Sequence, residues 1–103
     1  MTMLKQTWTS VSAEPISEDA IRALHLPEAN FKVYVNVAEA GQQFTIKAGH
    51  NFVLYVLAGS CKTTLDGVDV TLNAEELIAL EMGSYQFEAG SDGVRLVKVF
   101  GRL

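Results

Sequence analysis

The chain has 103 residues, 49% of them hydrophobic and 19% charged, with a formal net charge of −4 and a pI near 5.0. This length supports one domain rather than two, and a chain of this size buries roughly 65% of its unfolded surface, enough for a real core without staples. The acidic balance and the scattered placement of the eight Lys and Arg speak against a phosphate-binding face, so neither a nucleic-acid partner nor an anionic membrane is expected.

Cys61 is the single cysteine. An intramolecular disulfide and a cysteine-based zinc cage are therefore both excluded. The opening segment, Met1 to Ser12, holds one Lys and no apolar run, which is not the pattern of a signal peptide. No stretch approaches the ~18 apolar residues of a membrane span. A reducing, cytoplasmic setting is the expectation.

In chain order, the first region up to about Glu14 is polar, with Leu4, Trp8 and Val11 as isolated apolar anchors. It reads as an arm that docks on the body, with Trp8 either a packing plug or a lid over a pocket. Pro15 to Leu26 carries the one helix signal. Ser17 is a good N-cap, and Glu18 and Asp19 suit the positive end of the helix dipole. Ile21, Leu24 and Leu26 give a thin apolar stripe, and Pro27 stops it. His25 falls in the last turn, where a cation is favoured, so its explanation is structural rather than catalytic.

From Asn30 onward the period changes from helix to strand. Phe31, Val33, Val35 and Val37 alternate with Lys32, Tyr34, Asn36 and Ala38, which gives a strand with two different faces. Phe44, Ile46 and Ala48 form a second alternating set. Phe52 to Leu57 is apolar on both sides, so both of its faces must be covered. Ser60–Leu65 and Val68–Leu72 flank Asp66-Gly67, the best short hairpin signal in the chain. Leu77–Leu80, Tyr85–Ala89 and Val94–Phe100 complete the set. Gly83, Gly90 and Gly93 punctuate them, with a turn expected at Ser91-Asp92. Eight or so short strands with one short helix predict an all-β fold, an antiparallel sandwich or closed barrel. The domain organisation is an arm and helix over residues 1–29 and a barrel over 30–103.

Several fragments fall in an informative order. Tyr55-Val56-Leu57-Ala58-Gly59 is followed by Leu65-Asp66-Gly67, then by Leu72-Asn73-Ala74-Glu75-Glu76, then by Met82-Gly83-Ser84-Tyr85-Gln86-Phe87. Together, over about Val33 to Phe100, they resemble the cupin superfamily. The resemblance implies a small antiparallel jelly-roll barrel. It also implies a site where a His-x-His pair, a Glu and a further His face the interior and hold a divalent first-row metal. Here those positions correspond to Ile46, Ala48, Phe52 and Gln86; a second register gives Lys47 and Gly49 for the His pair. Neither supplies the lone pairs a cage needs, so no metal and no cofactor are expected. His50 is a lone imidazole nearby.

The resemblance places Ile46, Phe52, Leu54, Val56, Cys61, Thr63, Ser84 and Gln86 on the inward face. Such a wall suits a small-ligand pocket and equally a filled core. The candidate ligand-binding residues are His50, Phe52, Thr63, Ser84 and Gln86, with Tyr55 helping to shape the pocket. Three functions stay open: binding of a small, largely apolar or carboxylated molecule; a metal-independent isomerase or cyclase with His50 or Tyr85 as proton carrier; and a filled barrel acting through a dimer surface. The richness of three strands in Val, Leu and Phe makes a two-fold homodimer the expected partner state. Glu75-Glu76 reads as solvated charge, and no Gly-rich phosphate loop is present.

Overall fold

The fold is described from a computed structural model, over residues 5–25 and 32–100. Its elements are β1 (Gln6–Thr7), a 3-10 turn (Trp8–Ser10), α1 (Glu18–His25), β2 (Lys32–Ala38), β3 (Gln43–Ala48), β4 (Phe52–Leu65), β5 (Val68–Asn73), β6 (Glu76–Leu80) and β7 (Gly83–Phe100). All strand pairings are antiparallel. The all-β class with one short helix is what the alternation required.

Two long strands organise everything. β4 runs for 14 residues and β7 for 18, and each changes partners half-way. The first half of β4 pairs with β6 and with the second half of β7, which also carries β2. The second half of β4 pairs with β5 and with the first half of β7, which also carries β3. The chain thus builds two sheets from one continuous ladder, folded at a corner. The β4–β7 register slips between Val56 and Ala58 and again between Gly59 and Cys61. Such bulges bend a strand without ending it.

The corner explains why the expected strand breaks do not occur. Gly59, Gly90, Gly93 and Ser91-Asp92 lie inside β4 and β7 rather than between strands. Gly59 and Gly93 take φ of 75° and 74°, a left-handed conformation that glycine alone adopts without strain. The turn at Asp66-Gly67 is as the sequence indicates. Both residues have positive φ, 51° and 79°, and Leu65 pairs directly with Val68, the pattern of a two-residue hairpin.

Two cores result. Inside the barrel, Ile46, Ala48, Phe52, Leu54, Val56, Cys61, Leu72, Ile78, Leu80, Phe87, Ala89, Val94 and Leu96 pack together. On the outside of the first sheet, Val53, Tyr55, Leu77, Val97 and Val99 are covered by Trp8 and Ile21. This is why Phe52–Leu57 is apolar on both sides: even residues fill the barrel and odd ones lie under the arm and helix. Ser17 Oγ accepts the Ala20 backbone N–H at 3.0 Å, capping α1 as expected. Leu26 and Pro27 lie outside the described residues. His25 is 3% exposed and its Nε2 is 2.7 Å from the Tyr55 hydroxyl. This buried hydrogen bond ties the last turn of α1 to the sheet. Trp8 donates from Nε1 to the Glu14 carbonyl oxygen at 2.5 Å and meets the Tyr55 ring edge-on at 5.9 Å. It is the packing plug rather than the lid.

A Cβ on Gly59 would run into the Gly93 carbonyl. Gly59→Ala therefore combines a strained φ with a backbone collision, and we expect it to cost about 2 kcal/mol or more. Urea unfolding of the variant measures this directly; a loss below about 0.5 kcal/mol is incompatible with the corner described.

Candidate functional site

Pairing fixes which side chains enter the barrel. Tyr85 lies opposite Ile46 and Phe87 opposite Thr63, so the odd residues of the first half of β7 point inward. Tyr85, Phe87 and Ala89 pack with the interior core, while Ser84 and Gln86 are exposed on the outer face. The expectation that Ser84 and Gln86 face inward is thus corrected by one residue. The signal was present: the apolar members of this stretch are Tyr85, Phe87 and Ala89, not Ser84, Gln86 and Glu88.

The interior at the positions corresponding to a cupin metal centre is filled. Ile46, Ala48 and Phe52 are 4%, 8% and 1% exposed. The Phe52 ring meets Tyr85 at 5.9 Å and Phe100 at 5.3 Å, so Phe52 faces Tyr85 rather than Gln86. Phe44 and Phe87 stack at 5.4 Å beside them. The Tyr85 hydroxyl donates to the Glu81 carbonyl oxygen at 2.6 Å. Burial, followed by the charges of Glu81 and Asp66, pushes Tyr85 above the usual phenol range, away from proton transfer near neutrality. No group of three or more His, Cys, Asp or Glu side chains gathers among the described residues. A divalent ion of the kind cupins hold needs imidazole and carboxylate donors, and this donor set does not fit one.

The other candidate residues do not converge. His50 sits exposed in the bend before β4, remote from a proton-relay role in the barrel. Thr63 is buried, and its hydroxyl donates to the Gln86 carbonyl oxygen at 2.6 Å, tying β4 to β7. Thr63, Ser84 and Gln86 line an open recess of about 660 Å³ on the second sheet; Phe52 and His50 are not among its lining residues. Tyr55, expected to shape a pocket, lies on the outer face under Trp8.

A group missed in the sequence occupies the open side of the barrel. Lys98 pairs with Leu54 on one side and Tyr34 on the other. Its neighbours Val97 and Val99 belong to the outer core, so alternation turns Lys98 inward between Leu96 and Phe100. With Asn36, Ala38, Gln42, Phe44, Thr45, Ile46 and Leu96 it lines a recess of about 180 Å³, where β2 and β3 come together without pairing to each other. Its Nζ lies 5.8 Å from the centre of the Tyr34 ring. No carboxylate among the described residues forms an ion pair with it. Burial lowers its pKa from the ordinary lysine value, as desolvation does to an ammonium. A lysine in Leu96-Val97-Lys98-Val99-Phe100 was the available signal: one polar residue on the inward phase of an apolar strand.

Cys61 is a further ionisable group of the interior, with its thiol pushed up to about 12 by burial. The sign of its linkage follows. Below the ordinary thiol pKa of ~8.5 both folded and unfolded chains keep the proton. Above it the unfolded chain releases its proton first, so stability falls as pH rises toward 12. We expect a loss on the order of 1–2 kcal/mol from Cys61 between pH 8 and pH 10, leaving in Cys61→Ala only the smaller loss from Tyr55 and Tyr85, whose hydroxyls burial raises in the same direction. Denaturant unfolding at the two pH values checks it; equal losses in both proteins rule Cys61 out as the source.

No protein-family model matches this chain, and no curated protein matches it. Its structure is similar to that of the EutQ protein of Clostridium difficile, with a TM-score of 0.56 and 22% identity over 67% of this chain and 54% of that one. It is similar to a salicylate 1,2-dioxygenase from Pseudaminobacter salicylatoxidans, with a TM-score of 0.58 and 13% identity over 67% of this chain and 20% of that one. The cupin_2 domain of an XRE-family transcriptional regulator from Enterobacter cloacae is similar over 100% of this chain and 99% of that one, with a TM-score of 0.59 and 14% identity. The chain spans about half the length of EutQ and a fifth of the dioxygenase. With strand order, register and interior phase all in place, these likenesses identify the fold: the chain is a cupin-fold protein.

Proposed function

We propose that this protein binds a small molecule without a metal, in the recess on the open side of the barrel. The observation that carries this reading is Lys98: an amine turned onto the inward face and partly buried there, with no ion-pair partner among the described residues. A ligand with a carboxylate or carbonyl end gives that amine a hydrogen-bond partner inside the recess. Asn36, Gln42 and Thr45 offer neutral hydrogen-bonding groups beside it, and Phe44, Ile46 and Leu96 an apolar floor. At ~30 Å³ per water, about 180 Å³ holds a molecule of only a few heavy atoms. The apolar filling around Phe52 supports the metal-free part of the reading, since Ile46, Ala48 and Phe52 leave neither donors nor room.

Two measurements test this. Fe, Mn, Ni and Zn should be substoichiometric in protein purified without chelator, and none should raise the melting temperature. Butyrate and 2-oxobutyrate at millimolar concentration should raise it, and Lys98→Met should abolish the rise while leaving the unliganded protein folded. Stoichiometric metal, or no stabilisation by either compound, removes the support for this function.

A second reading, as a homodimer, now rests on β2 alone. Phe52–Leu57 and Val94–Phe100 bury their second faces under the arm and helix, so they need no partner copy. Val35 and Val37 remain 38% and 72% exposed on the terminal strand of the sheet order. Antiparallel pairing of two β2 strands centred on Val35 sets Val33 opposite Val37 of the second copy, a self-complementary apolar stripe. Analytical ultracentrifugation at micromolar concentration should show a dimer that Val35→Lys disrupts; a wild-type monomer refutes this reading.

A further inference from the structure

We propose that the ligand of the Lys98 recess carries a ketone or aldehyde carbon, and that the Lys98 amine captures it as an imine. This rests on the reading of the recess as a ligand site and narrows its chemistry to small 2-oxo acids and aldehydes.

An amine nucleophile needs its lone pair free, access to a carbonyl carbon, and shelter for the adduct. Lys98 meets these conditions through its position in the fold. It stands on the inward phase of β7 opposite Leu54, which is fully buried, and opposite Tyr34, whose ring centre lies 5.8 Å from its Nζ. No carboxylate among the described residues pairs with it to hold it as an ammonium, and desolvation favours the neutral amine. The groups that share the recess are amides and a hydroxyl, Asn36, Gln42 and Thr45. They can hydrogen-bond a carbonyl or carbinolamine oxygen without competing for its carbon.

The step balances without oxidant or reductant. The Lys98 nitrogen lone pair forms a bond to the carbonyl carbon, and the C=O π pair moves to oxygen, which takes a proton to give a carbinolamine. Nitrogen loses its two protons over the sequence, the C–O bond breaks, and oxygen leaves as water, forming the C=N bond. The recess lies between β2 and β3, which do not pair with each other, and its lining residues Asn36, Gln42 and Thr45 are exposed, so protons and the released water exchange with solvent there.

The test is reductive trapping on the full chain. Protein is incubated with 2-oxobutyrate and sodium cyanoborohydride at neutral pH, and each lysine is scored by peptide mass spectrometry. Lys98 should be modified at least about ten-fold faster than the exposed Lys47 and Lys62. Butyrate, which has the carboxylate without the ketone, should slow that labelling. Lys98→Arg should stay folded by circular dichroism and lose the fast site. If Lys98 reacts no faster than Lys47 and Lys62 while butyrate still raises the melting temperature, imine formation is overturned and the binding reading stands. If neither labelling preference nor stabilisation is seen, both fall together.

Discussion

The structure depends on one close approach: the backbone of Gly59 in β4 against the carbonyl of Gly93 in β7. At this point two long strands leave one sheet and enter the other without breaking their shared ladder. A side chain at Gly59 has nowhere to go, and the positive φ at both glycines lets each strand turn the corner. Everything inside the barrel inherits its direction from that corner. The bulges flanking Gly59 set the phase of Phe52–Val56 on one side and of Cys61–Leu65 on the other.

That geometry decides the chemistry of the interior. Three of the positions that correspond to imidazole and carboxylate ligands in a metal-holding cupin are taken here by Ile46, Ala48 and Phe52, with Tyr85 and Phe100 packed against the Phe52 ring. Filling that space adds apolar area to the core, at roughly 25 cal/mol per Å². The polar chemistry of the barrel moves to its open side, where Lys98, Tyr34 and Asn36 occupy the inward phase of the β7–β2 pair.

Much of the fold was legible in the sequence, for identifiable reasons. Ser17 before an acidic first turn marked the helix, Asp66-Gly67 marked the hairpin, and the double-sided apolar run of Phe52–Leu57 required two covers, which the barrel core and the arm supply. The continuity of β4 and β7 was not legible, because glycines within a strand and glycines between strands look alike until pairing is known. Gln86 was misplaced because a motif alignment overrode the local alternation of Tyr85, Phe87 and Ala89. Lys98 was missed for the opposite reason. Within a valine-rich strand a lone lysine reads as an edge or solvent position, and only its pairing with Leu54 shows which face it is on.

Apolar side chains, Ile46, Ala48 and Phe52, fill the barrel at the metal-holding positions, and Lys98 is an inward amine beside them. Nuclear Overhauser contacts in uniformly labelled protein address both halves in one experiment. Cross-peaks are expected from the Phe52 ring to Tyr85 and Phe100, and from the Lys98 side chain to the Tyr34 ring and the Leu96 methyls. Contacts from Phe52 to the Gln86 amide group instead, or a Lys98 side chain with contacts only to solvent, contradict this arrangement.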